Sequence, residues 1–236
     1  MNTNSKQLTI DRNSLPTHFL DRDELIGIEL GVAKGGYSKF LVETGKFKHF
    51  FGVDMYADQH DTAQYISALK EVGIYSQYKL FRMTFKEALE LFEDESLDFV
   101  YIDGYAHTGE EGGETIFDWA RKVKVGGVIA GHDYHPEWPL VVDAVDDFVA
   151  RSGLDLNVTE VAQDPHGSDK YPSWVVVKTK PTEHEALAEM VERGKKSDRR
   201  TTKKAPGFGA RVKRAVAILL GPRVIAFLNK LRRRSN

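Results

Sequence analysis

Residues 26–38, with the sequence IGIELGVAKGGYS, constrain the fold of this chain more than any other segment. An apolar run leads to Glu29, Gly31 follows two positions later, and Gly35 and Gly36 precede sequence that is compatible with a helix. A strand that enters a glycine-rich turn and leaves as a helix brings backbone amides close to a nucleotide-like ligand in α/β proteins. The spacing is E-x-G-x-x-x-G-G and not G-x-G-x-x-G, so a carboxylate stands where a dinucleotide would place its pyrophosphate. The turn therefore favours a ligand that bears positive charge.

Composition limits the remaining chemistry. The 236 residues include no cysteine, which excludes disulfides, thiolate metal sites and cysteine nucleophiles and fits a reducing compartment. The first six residues, MNTNSK, lack the apolar core of a signal peptide, and no apolar stretch approaches the ~18 residues that a membrane-spanning helix requires. We therefore expect a cytoplasmic protein of one domain with an appendage.

Charge is divided unevenly along the chain. Residues 192–236 carry 15 Lys and Arg against two Asp and Glu, a net charge of +13, which leaves −15 on residues 1–191. Within this basic tail, residues 208–234 mix Val, Ile, Leu and Phe with basic residues at both ends. Such a segment could lie in an anionic membrane interface, making the protein peripheral on the inner face of the membrane. The alternatives are packing on the acidic body or on the partner of a homodimer, disorder, and nucleic-acid binding, which the acidic body disfavours.

Short apolar runs alternate with amphipathic segments from about residue 25 onward. They predict strands over 25–30, 49–53, 78–82, 97–102 and 127–131, and helices over 36–43, 62–72, 86–92, 111–123 and 140–152. Single helices between strands indicate right-handed βαβ units and a parallel sheet. Two further strands, 155–161 and 173–179, are joined by the turn-rich sequence QDPHGSD without a helix, which predicts a hairpin.

The predicted fold is therefore α/β, with a seven-stranded, mostly parallel sheet, an antiparallel last strand and helices on both faces. Residues 1–23 form an N-terminal extension, residues 24–180 the ligand-binding domain, and residues 181–236 a helical basic extension. Within that last extension we expect a charged helix over 183–193 and a flexible segment over 195–206.

The ends of the predicted strands map the expected ligand site, because ligands of open parallel sheets bind beyond the carboxyl ends of the strands. Asp54 ends the second strand, 23 positions after Gly31, where an acid can reach both ribose hydroxyls of a nucleoside. Its alternative is a solvated turn aspartate. Met83 and Thr84 end the third strand and are expected at the adenine edge, although Thr84 could equally be a helix N-cap.

The fourth and fifth strands end in groups that could hold a metal or move a proton. Asp103 ends the fourth, and His132 and Asp133 end the fifth, so the three side chains can converge. Oxygen ligands suit Mg²⁺, whereas histidine with a carboxylate could suit iron or zinc, and a hydrogen-bonded cluster without metal is the alternative. His107, in the loop after Asp103, titrates near neutrality and is a candidate general base.

The motifs IELGVxxGxYS, GVD, DFVYIDGxxH and VGGVIAGHDY, in this order, resemble the class I S-adenosylmethionine-dependent methyltransferases. More narrowly, they resemble the bacterial group related to sugar, macrolide and rhamnosyl O-methyltransferases. The resemblance covers about residues 24–180 and implies a Rossmann-like catalytic domain with S-adenosylmethionine as cofactor, whose ammonium and sulfonium groups match the acidic turn. The predicted cofactor contacts are Glu29, Gly31, Gly35, Ser38, Asp54, Met55, Met83, Thr84 and Asp103.

The resemblance also implies Mg²⁺ beside an acceptor hydroxyl, held by aspartates at the ends of the fourth and fifth strands. Asp103 and Asp133 match those positions, and His132 completes the predicted metal set. The chain departs from the family in two places: GYAH follows Asp103 instead of D-H-x-Y, and His132 stands where a third metal aspartate is common.

These features together predict an S-adenosylmethionine-dependent, metal-assisted O-methyltransferase acting on a hydroxyl of a sugar, glycolipid or related small molecule. The catalytic candidates are Asp103, His107 and His132, and a lipid-linked glycan acceptor would suit a membrane-bound tail. The alternatives are a nucleic-acid methyltransferase that uses the basic tail and a non-catalytic cofactor-binding module. The turn at Gly31 lacks the G-x-G-x-x-G of a nicotinamide oxidoreductase, and no N/D-P-P-Y/F motif for amino methylation is present.

Overall fold

The computed structural model describes residues 5–57, 60–161 and 170–203, with side chains as far as residue 197. The chain divides into two compact units, Met1–Ser197 and Asp198–Asn236. In the second unit only the backbone of residues 198–203 is described, and it is helical. All that follows concerns the first unit.

One eight-stranded sheet with the order β1-β7-β8-β6-β5-β2-β3-β4 forms the centre of the first unit. Its strands are β1 (Lys6–Gln7), β2 (Leu25–Leu30), β3 (Phe47–Val53), β4 (Tyr78–Phe81), β5 (Leu97–Ile102), β6 (Val123–Gly131), β7 (Asn157–Val158) and β8 (Trp174–Val177). All pairs are parallel except those of β8, which runs antiparallel to β6 and β7. The predicted mostly parallel sheet and its antiparallel last strand are therefore confirmed.

The strand count is eight and not seven. The extra strand is β1, which comes from the N-terminal extension and pairs in parallel with β7. Both of its residues are exposed, so no apolar pattern marks it in the sequence. The extension as a whole is anchored by Leu8, Leu15 and Leu20, which are buried in the core.

Besides three short 3₁₀ turns, the described residues form eight α-helices: α1 (Leu15–Phe19), α2 (Gly36–Glu43), α3 (Thr62–Glu71), α4 (Phe85–Ala88), α5 (Gly109–Gly112), α6 (Glu114–Lys122), α7 (Pro139–Ser152) and α8 (Ala188–Lys203). Two predictions need correction. The helix expected over 111–123 begins only at Glu114, because Gly112 and Gly113 adopt left-handed torsions that interrupt it. The segment from residue 195, expected to be flexible, is helical as far as Lys203.

Core packing on both faces of the sheet explains why β5 is buried along its whole length. Val100 and Ile102 belong to the apolar cluster on one face, and Phe99 and Tyr101 to the cluster on the other. This alternation follows from the two-residue period of a strand, and burial on both faces is the usual state of a central parallel strand.

Among the described residues, no helix is both long and apolar enough to cross a membrane. The segment 208–234, for which a membrane interface was predicted, lies outside them.

Candidate active site

The candidate site lies at the carboxyl ends of four neighbouring strands. The sheet register aligns Leu30 of β2 with Val53 of β3 and Ile102 of β5, and Ile102 with Gly131 of β6. The residues that follow, Gly31, Asp54, Asp103 and His132, therefore leave the sheet along one edge. The strand order reverses between β2 and β5, where open α/β sheets form their ligand crevice.

Gly31 is the point of closest approach between the turn after β2 and the end of β5. Its φ is +97°, and a Cβ atom there would lie 2.0 Å from the backbone oxygen of Asp103. Any other side chain would therefore both clash and adopt an unfavourable backbone conformation. Gly35 likewise has a φ of +87° as it leads into α2.

Glu29 of β2 and Ser38 of α2 lie on either side of this turn in the sequence. Both are buried, and the Ser38 hydroxyl donates a hydrogen bond to the Glu29 carboxylate and lies 3.0 Å from the Tyr78 hydroxyl. Burial is the main reason that the pKa of Glu29 rises to about 8. In this arrangement the two predicted cofactor contacts bond to each other.

Asp54 joins the turn after β2 to the end of β3. It accepts hydrogen bonds from the backbone amides of Val32 at 3.0 Å, Ala33 at 2.9 Å and Tyr56 at 3.0 Å, and lies 2.6 Å from Nδ1 of His60. Burial alone would raise the pKa of Asp54, but the hydrogen bonds from His60, Ala33 and Tyr56 outweigh it and lower the pKa. Asp54 is thus an ionised carboxylate at the position predicted for ribose recognition.

On the far side of the crevice, Thr84 is the N-cap of α4. Its hydroxyl accepts a hydrogen bond from the Glu87 amide at 3.2 Å, and the Glu87 side chain bonds back to the Thr84 amide. The capping alternative is therefore confirmed. A pocket of about 270 Å³ also opens here, lined by Thr84, Phe85, Leu89, Tyr105 and Trp119 among others. Met83 packs against the apolar core and Met55 is half-buried.

Asp103, His132 and Asp133 converge as predicted. One potential ligand atom from each lies within 4.8 Å of the others. Nδ1 of His132 is 3.1 Å from Oδ1 of Asp133 and 3.6 Å from Oδ1 of Asp103. Asp133 reaches this position with a φ of +61°, a left-handed conformation that aspartate tolerates better than most residues. We call these three residues the acidic cluster.

Arg12, which sequence reasoning missed, reaches the acidic cluster from the N-terminal extension. Its Nη1 lies 3.2 Å from Oδ2 of Asp103, and its guanidinium stands 4.5 Å over the ring of Tyr37. The Tyr37 hydroxyl in turn donates to the Arg12 carbonyl at 2.9 Å. No motif surrounds Arg12, so only the folded chain places it here. His60, six residues after Asp54, was also missed.

His107 does not join the acidic cluster. It lies in the 3₁₀ turn Ala106–Thr108, and its carbonyl accepts a hydrogen bond from the Ser197 hydroxyl at 2.8 Å. Glu110, three residues later, is buried. Burial raises the pKa of its carboxyl, and the negative charges of Asp133 and Asp103 raise it further.

The loop that carries His107 and Glu110 is held by α8. A Cβ on Gly112 would lie 2.1 Å from the carbonyl oxygen of Met190, and one on Gly194 would lie 2.7 Å from the Gly112 amide nitrogen. Two glycines thus allow backbone to pack directly on backbone. The start of α8 therefore packs directly against the loop that carries His107 and Glu110.

Residues 26–134 match the model of a family described as a methyltransferase domain. Comparison with curated protein sequences gives no significant match. A putative O-methyltransferase from Klebsiella pneumoniae is similar in structure, with a TM-score of 0.54 and 14% identity over 71% of this chain and 78% of that chain. An S-adenosylmethionine-dependent O-methyltransferase from Thermotoga maritima gives a TM-score of 0.52 and 15% identity, over 78% of this chain and 71% of that chain. A precorrin-6y C5,15-methyltransferase from Geobacter metallireducens gives a TM-score of 0.51 and 17% identity, over 70% of this chain and 84% of that chain.

At these identities the solved structures show a shared fold and no more. The family match is more specific, because its span contains the Gly31 turn, Asp54 and all of the acidic cluster. Together with the mostly parallel sheet and the crevice at the reversal of strand order, this match over residues 26–134 supports an S-adenosylmethionine-dependent methyltransferase.

Proposed function

We propose that this methyltransferase acts on a hydroxyl oxygen of a sugar, glycolipid or related small molecule, with the help of a divalent cation. The observation that carries the proposal is the acidic cluster, which lies at the same sheet edge as the Gly31 turn and next to it. A methyl donor over that turn would have these polar groups beside it. They are the groups that an oxygen nucleophile requires for orientation and for loss of its proton.

The acidic cluster is chemically suited to a divalent cation. Carboxylate oxygens are the preferred ligands of Mg²⁺, and one imidazole among them is accepted by Mn²⁺ or Fe²⁺. The potential ligand atoms of Asp103, His132 and Asp133 are already close enough to share one ion. A bound cation would lower the pKa of an acceptor hydroxyl and orient neighbouring hydroxyls.

The residues of the chain itself supply alignment and a proton acceptor. Asp54 and the Gly31 turn hold the adenosine end of the donor, which fixes the methyl–sulfur bond relative to the acidic cluster. In the transfer, the hydroxyl oxygen bonds to the methyl carbon as the carbon–sulfur bond breaks, and the sulfonium becomes a neutral thioether. The hydroxyl proton passes to a base. His132, with Asp133 3.1 Å from its Nδ1, can accept this proton only if it does not ligate the cation, because a neutral imidazole has one free lone pair. With His132 as a ligand, His107 is the remaining histidine candidate.

The test is methyl transfer from labelled S-adenosylmethionine to a panel of sugars and glycolipids, with and without EDTA. We expect His132→Gln and Asp133→Asn to lower the rate by roughly 10²–10⁴-fold, the usual contribution of a positioned acid or base. Asparagine at residue 133 keeps the left-handed backbone accessible, so the variant tests the charge. Glu90→Gln, an exposed acid, is the control. Full activity in EDTA would contradict cation assistance, and cofactor binding without transfer to any hydroxyl would contradict the acceptor class.

We further propose that the basic tail brings the enzyme to an anionic membrane surface, where a lipid-linked glycan would be its acceptor. The net charge of +13 over residues 192–236 and the apolar content of 208–234 support this proposal. A variant truncated after Lys203 keeps α8. Flotation with anionic vesicles should recover the full-length chain with the vesicles but not this truncated variant. Equal recovery would contradict the membrane proposal. A change in oligomeric state on truncation would instead favour the packing of the tail against a second copy.

A further inference from the structure

We propose that Arg12 and Asp103 bind the amino-acid end of the methyl donor, with the donor's carboxylate on the Arg12 guanidinium and its ammonium on Asp103. The inference rests on a donor lying over the Gly31 turn, as in the proposed function, and needs neither the cation nor the acceptor. It adds a residue of the N-terminal extension, because Arg12 lies outside the family match over residues 26–134.

Arg12 is linked to the segments on both sides of the glycine-rich turn. Its Nη1 lies 3.2 Å from Oδ2 of Asp103, whose own amide donates a hydrogen bond at 2.7 Å to the carbonyl of Leu30, the residue before Gly31. The guanidinium also stands 4.5 Å over the ring of Tyr37, in the first turn of α2. A donor over this turn therefore lies beside Arg12.

The N-terminal extension holds Arg12 in place from both directions along the chain. Before it, β1 pairs with β7, and the Ile10 carbonyl accepts a hydrogen bond from the Glu160 amide at 2.9 Å. After it, Leu15 is fully buried. The Arg12 side chain is only 18% exposed, and a partly buried charge acts more strongly on a ligand than one in water. The positive charge is thus positioned before any ligand binds.

An aspartate paired with an arginine is the charge complement of an α-amino acid, which carries an ammonium and a carboxylate on one carbon. S-adenosylmethionine ends in such a group. Because β2 lies between β3 and β5 in the sheet, a donor with its ribose at Asp54 crosses the Gly31 turn and points its other end toward Asp103. Arg12 and Asp103 stand where that end arrives.

The carboxylate of the donor requires a cation at this place, because the neighbouring strand ends carry the acids Asp54, Asp103 and Asp133, which repel it. A guanidinium has five N–H donors in a planar fork, so one arginine can bond to more than one carboxylate. Asp103 can serve the donor and the acidic cluster together, since its Oδ2 lies at Arg12 and its Oδ1 lies 3.6 Å from Nδ1 of His132.

The experiment is calorimetric titration, in EDTA, of two ligands into the full chain. They are S-adenosylmethionine and its decarboxylated form, which keeps the ammonium and the sulfonium. We expect the wild type to bind S-adenosylmethionine about 10–100-fold more tightly than the decarboxylated form, as for a charge-assisted hydrogen-bonded pair. Arg12→Gln should weaken binding of S-adenosylmethionine by a similar factor. Its affinity for the decarboxylated form should stay within about twofold or rise, because the variant removes a positive charge that repels a cationic ligand.

This difference between the ligands separates recognition from structural support. If Arg12 only held the turn through Asp103 and Tyr37, its removal would weaken both ligands by the same factor. Arg12→Lys keeps the charge but loses the planar fork, and should recover part of the affinity for S-adenosylmethionine. Lys39→Gln is the matched control, because Lys39 is a cation of α2 that pairs with Glu71 at the surface; neither affinity should change by more than about twofold.

Three results would overturn the inference: a wild type that binds the two ligands equally, an Arg12→Gln variant that binds S-adenosylmethionine as tightly as the wild type, or equal weakening of both ligands. A selective loss in Lys34→Gln but not in Arg12→Gln would also overturn it, since Lys34 is the exposed cation within the turn itself. Failure of the proposed function is seen separately. A wild type that binds neither ligand contradicts the donor site, whereas methyl transfer that is unchanged in EDTA removes cation assistance and leaves the role of Arg12 intact.

Discussion

The two halves of the crevice differ in how their polar groups are satisfied. In the donor half, at the ends of β2 and β3, Glu29 bonds to Ser38 and Asp54 accepts four hydrogen bonds from its own surroundings. In the acceptor half, at the ends of β5 and β6, Asp103 and Asp133 lie close to the imidazole of His132. Arg12, from the N-terminal extension, forms an ion pair with Asp103. The donor half is thus organised by the fold itself, whereas the acceptor half is organised to receive charge from outside.

This difference fits the chemistry that we propose for each half. A donor that is the same in every turnover is bound well by a rigid, preformed turn. A cation in the acceptor half would compete with Arg12 for Asp103. Four predictions follow from the comparison, the first three on the donor half and the last on the acceptor half.

Gly31→Ala should have the largest effect. The added Cβ would meet the Asp103 carbonyl oxygen at 2.0 Å, and the residue would keep a φ of +97°. We expect a loss of about 3–5 kcal/mol in the free energy of unfolding and loss of cofactor binding. Gly36→Ala is the matched control, because it begins α2 and a Cβ there meets nothing within 4 Å. Denaturant unfolding of both variants measures the effect, and equal stability of the two would contradict the close approach.

The pH dependence of stability should report on Glu29. Its pKa rises from 4.5 to about 8 on folding, so the folded chain holds a proton that the unfolded chain has lost. Stability from this group is therefore present below pH 4.5 and is lost as the pH rises through 8, with a slope of at most about 1.4 kcal/mol per pH unit and a total of up to about 5 kcal/mol. Glu29→Gln should flatten the melting temperature between pH 5 and pH 8. An unchanged slope in this variant would assign the dependence to another group.

Asp54→Asn should separate donor binding from cation binding. The variant loses the negative charge that Val32, Ala33, Tyr56 and His60 surround, and hydrogen bonds to a charged group contribute about 1.5–3 kcal/mol. We expect stability to fall by about 1–3 kcal/mol and affinity for S-adenosylhomocysteine to fall with it, both measured at pH 7. Affinity for Mn²⁺ should be unchanged. A parallel loss of both affinities would show that the two halves are coupled.

Arg12→Ala should have the smallest effect on stability and a selective effect on the acceptor half. The ion pair with Asp103 is partly exposed and the contact with Tyr37 is a single cation–π interaction, so a loss of about 1 kcal/mol is expected. Removal of a competing cation from Asp103 should also tighten Mn²⁺ binding in calorimetry. Lys39→Ala, which breaks an exposed pair with Glu71, is the control. Weaker Mn²⁺ binding in Arg12→Ala would show that Arg12 supports the acidic cluster instead of competing for it.

The sequence by itself determined the sheet, the turn at Gly31 and the carboxyl-end positions of Asp54, Asp103, His132 and Asp133. These are local properties: apolar runs of strand length, helical periodicity between them, and a glycine where the backbone must turn. Because parallel strands end at one edge, residues that directly follow those strands must share a site. The same reasoning does not predict β1, because its two residues are exposed and carry no apolar pattern.

Only the tertiary structure decided which side chains face one another across that edge. Arg12 and His60 come from segments without a motif. Arg12 reaches Asp103 from 91 residues away, whereas His60 reaches Asp54 across a loop of the same segment. Glu110 was hidden within a polar run, GEEGGE, that is typical of a solvated turn. Its burial depends on left-handed torsions and on the packing of α7 and α8 against the loop, and contacts between segments far apart in sequence leave no local periodicity to detect.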